Sequence, residues 1–229
     1  MAPLRFTLCL GLFSIATLGA GCSVFRSEPG GVLTATSTDG MKSLAPNFTT
    51  AAYTSLDADT ADVYLSDLPR ERFANPRDTL ADCTGSILHL HIFLVPEAGQ
   101  TPIDSTACNL TVRQLVLTKN APQGMGLYGG GGFLNPTGDF GSGDIGGSIY
   151  AASHRLTRSS SGFNDLLGPG TLSGRFSAPQ DEQLAQQMSA KLETLIGTLP
   201  AFASEDGDLK VVPVKKPADK SKDKKKPEK

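Results

Sequence analysis

His89 and His91 stand two residues apart in an almost wholly apolar run, Ser86-Ile-Leu-His-Leu-His-Ile-Phe-Leu-Val95. In an extended strand alternate residues share a face, so both imidazoles leave the same side. Such a pair is a workable start for a metal site. Zinc requires three or four ligands, and His154 with Asp82 or Asp104 would have to complete the set. The alternative is a packed, hydrogen-bonded face near a sheet edge. Gly124-Met-Gly-Leu-Tyr-Gly129 has the spacing GxGxxG. The dinucleotide fingerprint needs a helix to open there, and Gly130-Gly131-Gly132 forbid one. Tyr128, Phe133 and Phe140 are interleaved with the glycines of residues 124–147. They are candidate ligand-binding residues on a flexible loop facing a glycan or peptide. The plainer reading is a set of turns and bulges in which glycine supplies positive φ. The sequence contains no GxSxG, SxxK or HExxH, and Ser159-Ser160-Ser161 after His154 has no base arranged beside it. No convergent acid, base or nucleophile is legible, so the expectation is a protein that is not an enzyme and carries no cofactor.

The elements that must position these groups read as mainly β. Asp62–Leu65, Ser86–Val95, Leu110–Thr118, Met125–Leu134, Gly146–Thr157 and Thr171–Phe176 are short strand candidates separated by Gly-rich or Pro-containing turns. That pattern predicts a β-sandwich-like domain, or a barrel, over residues 59–202. Ser86–Val95 is apolar on both faces, as in a central strand or one lying under a helix. One amphipathic helix is expected over about residues 178–199, with Leu184, Met188, Leu192, Leu195, Ile196 and Leu199 at helical spacing and Pro200 closing it. Ser177 is its expected cap, with Gln180 completing a capping box and Pro179 in the first turn. Residues 22–58 are rich in Ser, Thr, Ala and Gly without a sustained period and read as a flexible linker. Residues 203–229 read as a disordered tail.

The chain starts with Arg5 ahead of an apolar run from Phe6 to Ala20, then Gly21-Cys22-Ser23. A basic start, a short apolar region and small residues at the cut describe an export signal over residues 1–21. Leu18-Gly19-Ala20-Gly21-Cys22 resembles the lipobox of bacterial lipoproteins, departing from it in having Gly19 where Leu is usual and Leu18 one place earlier. The resemblance implies that Cys22 is acylated and becomes the first residue of the mature chain. Ser23 in place of Asp resembles lipoproteins sorted to an outer membrane and facing the periplasm. The apolar run is too short to span a bilayer, so attachment would rest on acyl chains, several of which are needed for a firm hold. Of four cysteines, Cys9 leaves with the signal and Cys22 carries lipid. Cys83 and Cys108 then remain as an even pair in an oxidising compartment, and a disulfide is expected between them rather than two buried thiols. It would staple the starts of two core strands.

Charge is unevenly spread. Lys210–Lys229 holds nine Lys against Asp219, Asp223 and Glu228, a net +6, leaving −8 on residues 1–209 of a chain whose total is −2. A basic tail is a solubilising end, or it attaches the protein to anionic envelope polymers such as peptidoglycan or to lipid headgroups. Nucleic acid is not an expected partner of an exported protein. A lipidated cysteine at one end and Lys229 at the other also resembles, in layout alone, the major outer-membrane lipoprotein family. Its terminal lysine is joined to peptidoglycan, but its long helix is absent here. The expected function is therefore a lipid-anchored envelope protein with a non-catalytic structural, assembly or scaffolding role and an unidentified envelope protein as partner. The alternative is a ligand-binding module built on residues 124–147.

Overall fold

The computed structural model describes residues 29–97, 107–119, 124–165 and 167–200. The export signal, Cys22, Asp104, the Lys-rich tail and Lys229 lie outside them. The described residues are mainly β, as expected, with an amphipathic helix near their C-terminal end. The strands are β1 Gly30–Ser37, β2 Ser43–Leu44, β3 Asn47–Phe48, β4 Thr50–Ser55, β5 Ala61–Ser66, β6 Gly85–Ile92, β7 Leu110–Thr118, β8 Gly124–Asp139, β9 Ser142–Ser159 and β10 Gly170–Ala178. They form one antiparallel sheet in the order β2-β1-β10-β9-β8-β7-β6-β5-β4, with β3 also paired to β1. From β4 to β10 each strand pairs with the next in sequence, so short connections alone dictate most of the order.

The sandwich-like packing comes from curling this single sheet. Its β4 edge meets the chain leaving β10, where the Tyr53 N–H donates to Pro179 O at 3.0 Å and the Asp181 N–H to Tyr53 O at 3.3 Å. The Tyr53 side chain is fully buried; its hydroxyl donates to Gly143 O and accepts from the Gly141 N–H, tying β4 to the β8–β9 turn. The inner face encloses Leu33, Val63, Leu90, Val112, Leu134 and Phe176. A short helix α1, Glu71–Ala74, lies between β5 and β6, and the helix α2 Glu182–Thr198 covers the outer face of β4–β8, where Leu184, Met188, Leu192, Leu195 and Ile196 meet Ile87, Leu115, Leu117 and Leu127. The strand β6 therefore buries both faces, Leu88, Leu90 and Ile92 inward and Ile87 towards the helix. It ends at Ile92 rather than Val95; Phe93 and Leu94 are each 41% exposed.

Four expectations are corrected. Residues 30–55 are not linker, since they supply β1 to β4 and bury Leu33, Ala35, Phe48, Ala51, Ala52 and Tyr53. The cap of α2 is Asp181, whose carboxylate accepts from the Leu184 N–H at 2.9 Å, and not Ser177. Ala178 still pairs with Ile145, and Gln180 bridges Tyr53, so the chain stays extended beyond the expected start. Residues 124–147 are not a loop but much of a long hairpin, β8 and β9, bent by register shifts at Leu127/Tyr128, Gly129/Phe133 and Thr137/Asp139. Finally, the Cys83–Cys108 disulfide is not made. The strands β6 and β7 run antiparallel, with Gly85 opposite Leu117 and Ile92 opposite Leu110. The starts of the two strands thus lie at opposite ends of the ladder, about 25 Å apart at the rise of a strand, whereas a disulfide needs Cα atoms within about 7 Å.

Candidate functional site

The strand β6 does put His89 and His91 on one face, but their ring nitrogens turn to the neighbouring strands. The Oδ1 of Asp62 on β5 accepts from His89 Nε2 and from His91 Nδ1, each at 2.8 Å. The guanidinium of Arg113 on β7 donates to His89 Nδ1 at 3.1 Å and to the Glu193 carboxylate on α2 at 2.6 Å. Arginine only donates, so His89 carries its proton on Nε2 and both of its nitrogens are engaged. Tyr64 stacks on the ring at 4.6 Å. This chain of contacts links β5, β6 and β7 to α2, and it leaves His89 without a nitrogen for a metal. The other proposed ligands are elsewhere: Asp82 is ion-paired to Arg72, and His154 sits in the inner core. Among the described residues no group of three or more His, Cys, Asp or Glu is placed to hold an ion.

Burial raises the Asp62 carboxyl, yet the hydrogen bonds from His89 and His91 outweigh it and hold the group below its usual range. Its stabilising contribution is therefore present above the ordinary carboxyl pKa and is lost as pH falls through the lower folded value. Asp62→Asn is expected to lower stability at neutral pH by about 1–3 kcal/mol and to flatten the acid limb below about pH 4. Urea unfolding of both proteins across pH 2–7 reads both effects.

Tyr128, Phe133 and Phe140 do not converge. Tyr128 is buried on the inner face, Phe133 lies opposite Tyr150, which is 63% exposed, and Phe140 packs beside the inner core at the hairpin turn. Tyr128 instead joins residues that the motif scan passed over. Its ring stacks on His154 with centroids 4.6 Å apart and planes 8° apart, and Phe163 meets it edge-on. Its hydroxyl donates to Asp165 Oδ1 at 2.6 Å, and that carboxylate also accepts from the Leu167 and Gly168 N–H groups. Burial raises the tyrosine pKa, and the anionic acceptor raises it further, so it stays a neutral donor. Burial also opposes the charge on Asp165, but the hydrogen bonds from Tyr128 and the backbone prevail and lower its pKa.

His154 is 1% exposed. Its Nε2 lies 2.9 Å from Gln114 Oε1, so that nitrogen is the N–H and donates. Desolvation lowers the imidazole pKa to about 4, leaving the ring neutral at pH 7. The remaining nitrogen, Nδ1, is a buried acceptor without a partner among the described residues. Gln114 carried a legible signal, because it shares the inward face of β7 with Val112 and Val116, and a polar residue on an apolar face must be satisfied.

His154 and Tyr128 line an open cavity of about 610 Å³ whose wall is mixed, with Val112, Leu127 and Pro169 beside Arg113, Arg155 and Ser153. It sits where β8 and β9 lose register. Between the pairs Gly129↔Arg155 and Phe133↔Tyr150, three residues of β8 face four of β9. Ser153 clamps this breach, its hydroxyl accepting from the Gly131 N–H and donating to Gly131 O, each at 3.0 Å. Compared with protein-family models, curated protein sequences and solved structures, the chain matches none.

Proposed function

We propose that this chain is a lipid-anchored protein of a bacterial cell envelope, acylated at Cys22, whose curled sheet acts by scaffolding or binding rather than by catalysis. The observation that carries the non-catalytic reading is the mutual engagement of the acid–base groups. Asp62, His89, His91, Arg113 and Glu193 bond to one another across β5, β6, β7 and α2, as a brace does. The anchor reading is supported by the lipobox resemblance at Leu18–Cys22 and by Ser23, which favours an outer membrane and the periplasmic side. The Lys-rich tail, at +6, would add electrostatic contact with peptidoglycan, another anionic envelope polymer or lipid headgroups.

Intact mass of the protein extracted from bacterial membranes tests the anchor. The expected mass is that of residues 22–229 plus acyl groups, and Cys22→Ser is expected to move the protein from the membrane to the soluble fraction. An unacylated mature chain overturns the reading. Muropeptide mass left on Lys229 after lysozyme digestion would add covalent attachment to the wall.

The second reading, a ligand-binding module, is favoured by one observation, the cavity lined in part by Tyr128 and His154. It keeps Tyr128 as a binding residue, without Phe133 and Phe140, and moves the site from a flexible loop to the cavity beside the β8–β9 register break.

A further inference from the structure

No Asp or Glu lines the open cavity at the β8–β9 register break, although residues 1–209 carry a net charge of −8. Two guanidinium groups and four hydroxyls are there instead, from Arg113, Arg155, Thr38, Thr111, Ser153 and Thr157. Strand register sets the two arginines across from each other. Arg113 on β7 and Arg155 on β9 both stand opposite Gly129 of the intervening β8. Residues paired in this way share a face, and strands β7 and β9 lie about 10 Å apart. Gly129 has no side chain to fill the space between them, which leaves a slot with a cation on either side. The two cations differ in their freedom. Arg113 is bound to Glu193 and His89. Arg155 is exposed and has no ion pair among the described residues. A free guanidinium beside an acid-free cavity is a fork for a planar anion, since its paired N–H groups match a carboxylate.

The polar face continues along β9. Ser153 and Tyr150 are exposed like Arg155, while Ile149, Ala152 and His154 are buried. Tyr150 is 63% exposed and lies about 15 Å from Arg155 at the rise of a strand. An exposed phenol ring in line with hydroxyls and a guanidinium suits a sugar chain, whose rings have apolar C–H faces and hydroxyl edges. A lone inorganic anion would use Arg155 but neither the ring nor the hydroxyls. We propose that this cavity and the strand face beside it bind an acidic glycan, with one sugar carboxylate on Arg155 and a neighbouring ring on Tyr150. The hydroxyls of Thr111 and Thr157 meet those of the bound sugar. This site rests on the binding reading, supplies its ligand class, and is independent of the anchor at Cys22.

The Lys-rich tail attracts any polyanion, so the probes must separate charge from sugar. Trigalacturonate supplies both rings and carboxylates, cellotriose rings alone, and triglutamate carboxylates alone. Each is titrated calorimetrically into the full-length protein in neutral detergent. The expected result is saturable binding of trigalacturonate about tenfold tighter than of either other probe, the worth of one charge-assisted contact. Arg155→Gln should bring trigalacturonate close to the affinity of cellotriose. Tyr150→Ala should weaken both sugars and leave triglutamate unchanged. Both side chains are exposed, so neither variant should melt differently from the parent. Equal affinity for trigalacturonate and triglutamate, unmoved by either substitution, would mean that the tail binds charge alone, and would overturn the proposal. A preference for trigalacturonate that survives both substitutions would place it elsewhere, and would overturn the site. Equal affinity for trigalacturonate and cellotriose would overturn the selection of acid while leaving the cavity as a binding site. Binding of neither sugar would overturn the proposal together with the cavity as a site for glycans.

Discussion

Gly130→Ala is expected to lower the stability of the domain by about 3 kcal/mol, a fall of roughly 6–12 °C in Tm for a domain of this size. A Cβ at that position would stand 1.7 Å from the Ser153 carbonyl oxygen and 2.9 Å from its Oγ. The nearer atom is backbone, so no side-chain rotation relieves the clash. The backbone cannot yield freely either, because Ser153 holds Gly131 by two hydrogen bonds at 3.0 Å and Ala151 beside it already has φ of 52°. A methyl group therefore forces β8 and β9 apart where they cross most closely, opening the breach that walls the cavity. Gly197→Ala is the control of opposite sign. It lies near the end of α2 with nothing within 4 Å of its added Cβ, and replacing a helical glycine there should raise stability by about 0.5–1 kcal/mol. Thermal unfolding of the two variants and the parent makes the comparison. A Gly130→Ala protein melting within a degree of the parent would contradict the close approach of the two strands.

The same glycine shows why part of the fold was legible and part was not. Leu110–Thr118 coincides with β7, and the stripe from Leu184 to Ile196 is the buried face of α2, because apolar periodicity reports burial directly. Glycine reports only what cannot fit. In residues 124–147 it suggested a loop, whereas several glycines sit inside strands because a partner strand or the Phe163 ring occupies the space of a side chain. The segment over residues 30–55 misled for a related reason. Its buried residues include Ala35 and Ala51 on the inner face and Ala52 under α2, small enough to read as linker, and their burial depends on elements far away in sequence. The expected disulfide failed on topology rather than chemistry, since two cysteines at the starts of adjacent antiparallel strands are at opposite ends. His89 and His91 were legible as a pair, but their partners Asp62 and Arg113 come from the flanking strands β5 and β7, which strand register alone brings alongside. His154 offered less. Its neighbours in sequence are unremarkable, and its meaning comes from Tyr128, Gln114 and Asp165 meeting it across the fold.

The pH dependence of stability is the second large effect expected, and His154 is its source. Its imidazole pKa is about 4 in the folded protein, because burial removes the water that would solvate its charge, and about 6.5 when the chain unfolds. Between those values the unfolded state binds a proton that the folded state refuses, so unfolding becomes easier as pH falls. The contribution is fully present above pH 6.5 and declines as pH drops towards about 4, below which both states are protonated and the loss levels off. At about 1.4 kcal/mol for each pH unit, the loss attributable to this one residue approaches 3 kcal/mol. Asp165 opposes it weakly through its charge, being the neighbouring carboxylate that favours the imidazolium. Urea unfolding at half-unit steps from pH 7 to pH 4 should therefore fall steadily in the parent. In His154→Phe it should begin about 1 kcal/mol lower, because Gln114 Oε1 loses its donor, and should change less over the same interval. That window lies above the one in which Asp62 acts, so the two variants separate the contributions. A parent whose stability is flat from pH 6.5 to pH 4.5 would mean that water reaches His154, and that burial does not hold the ring neutral.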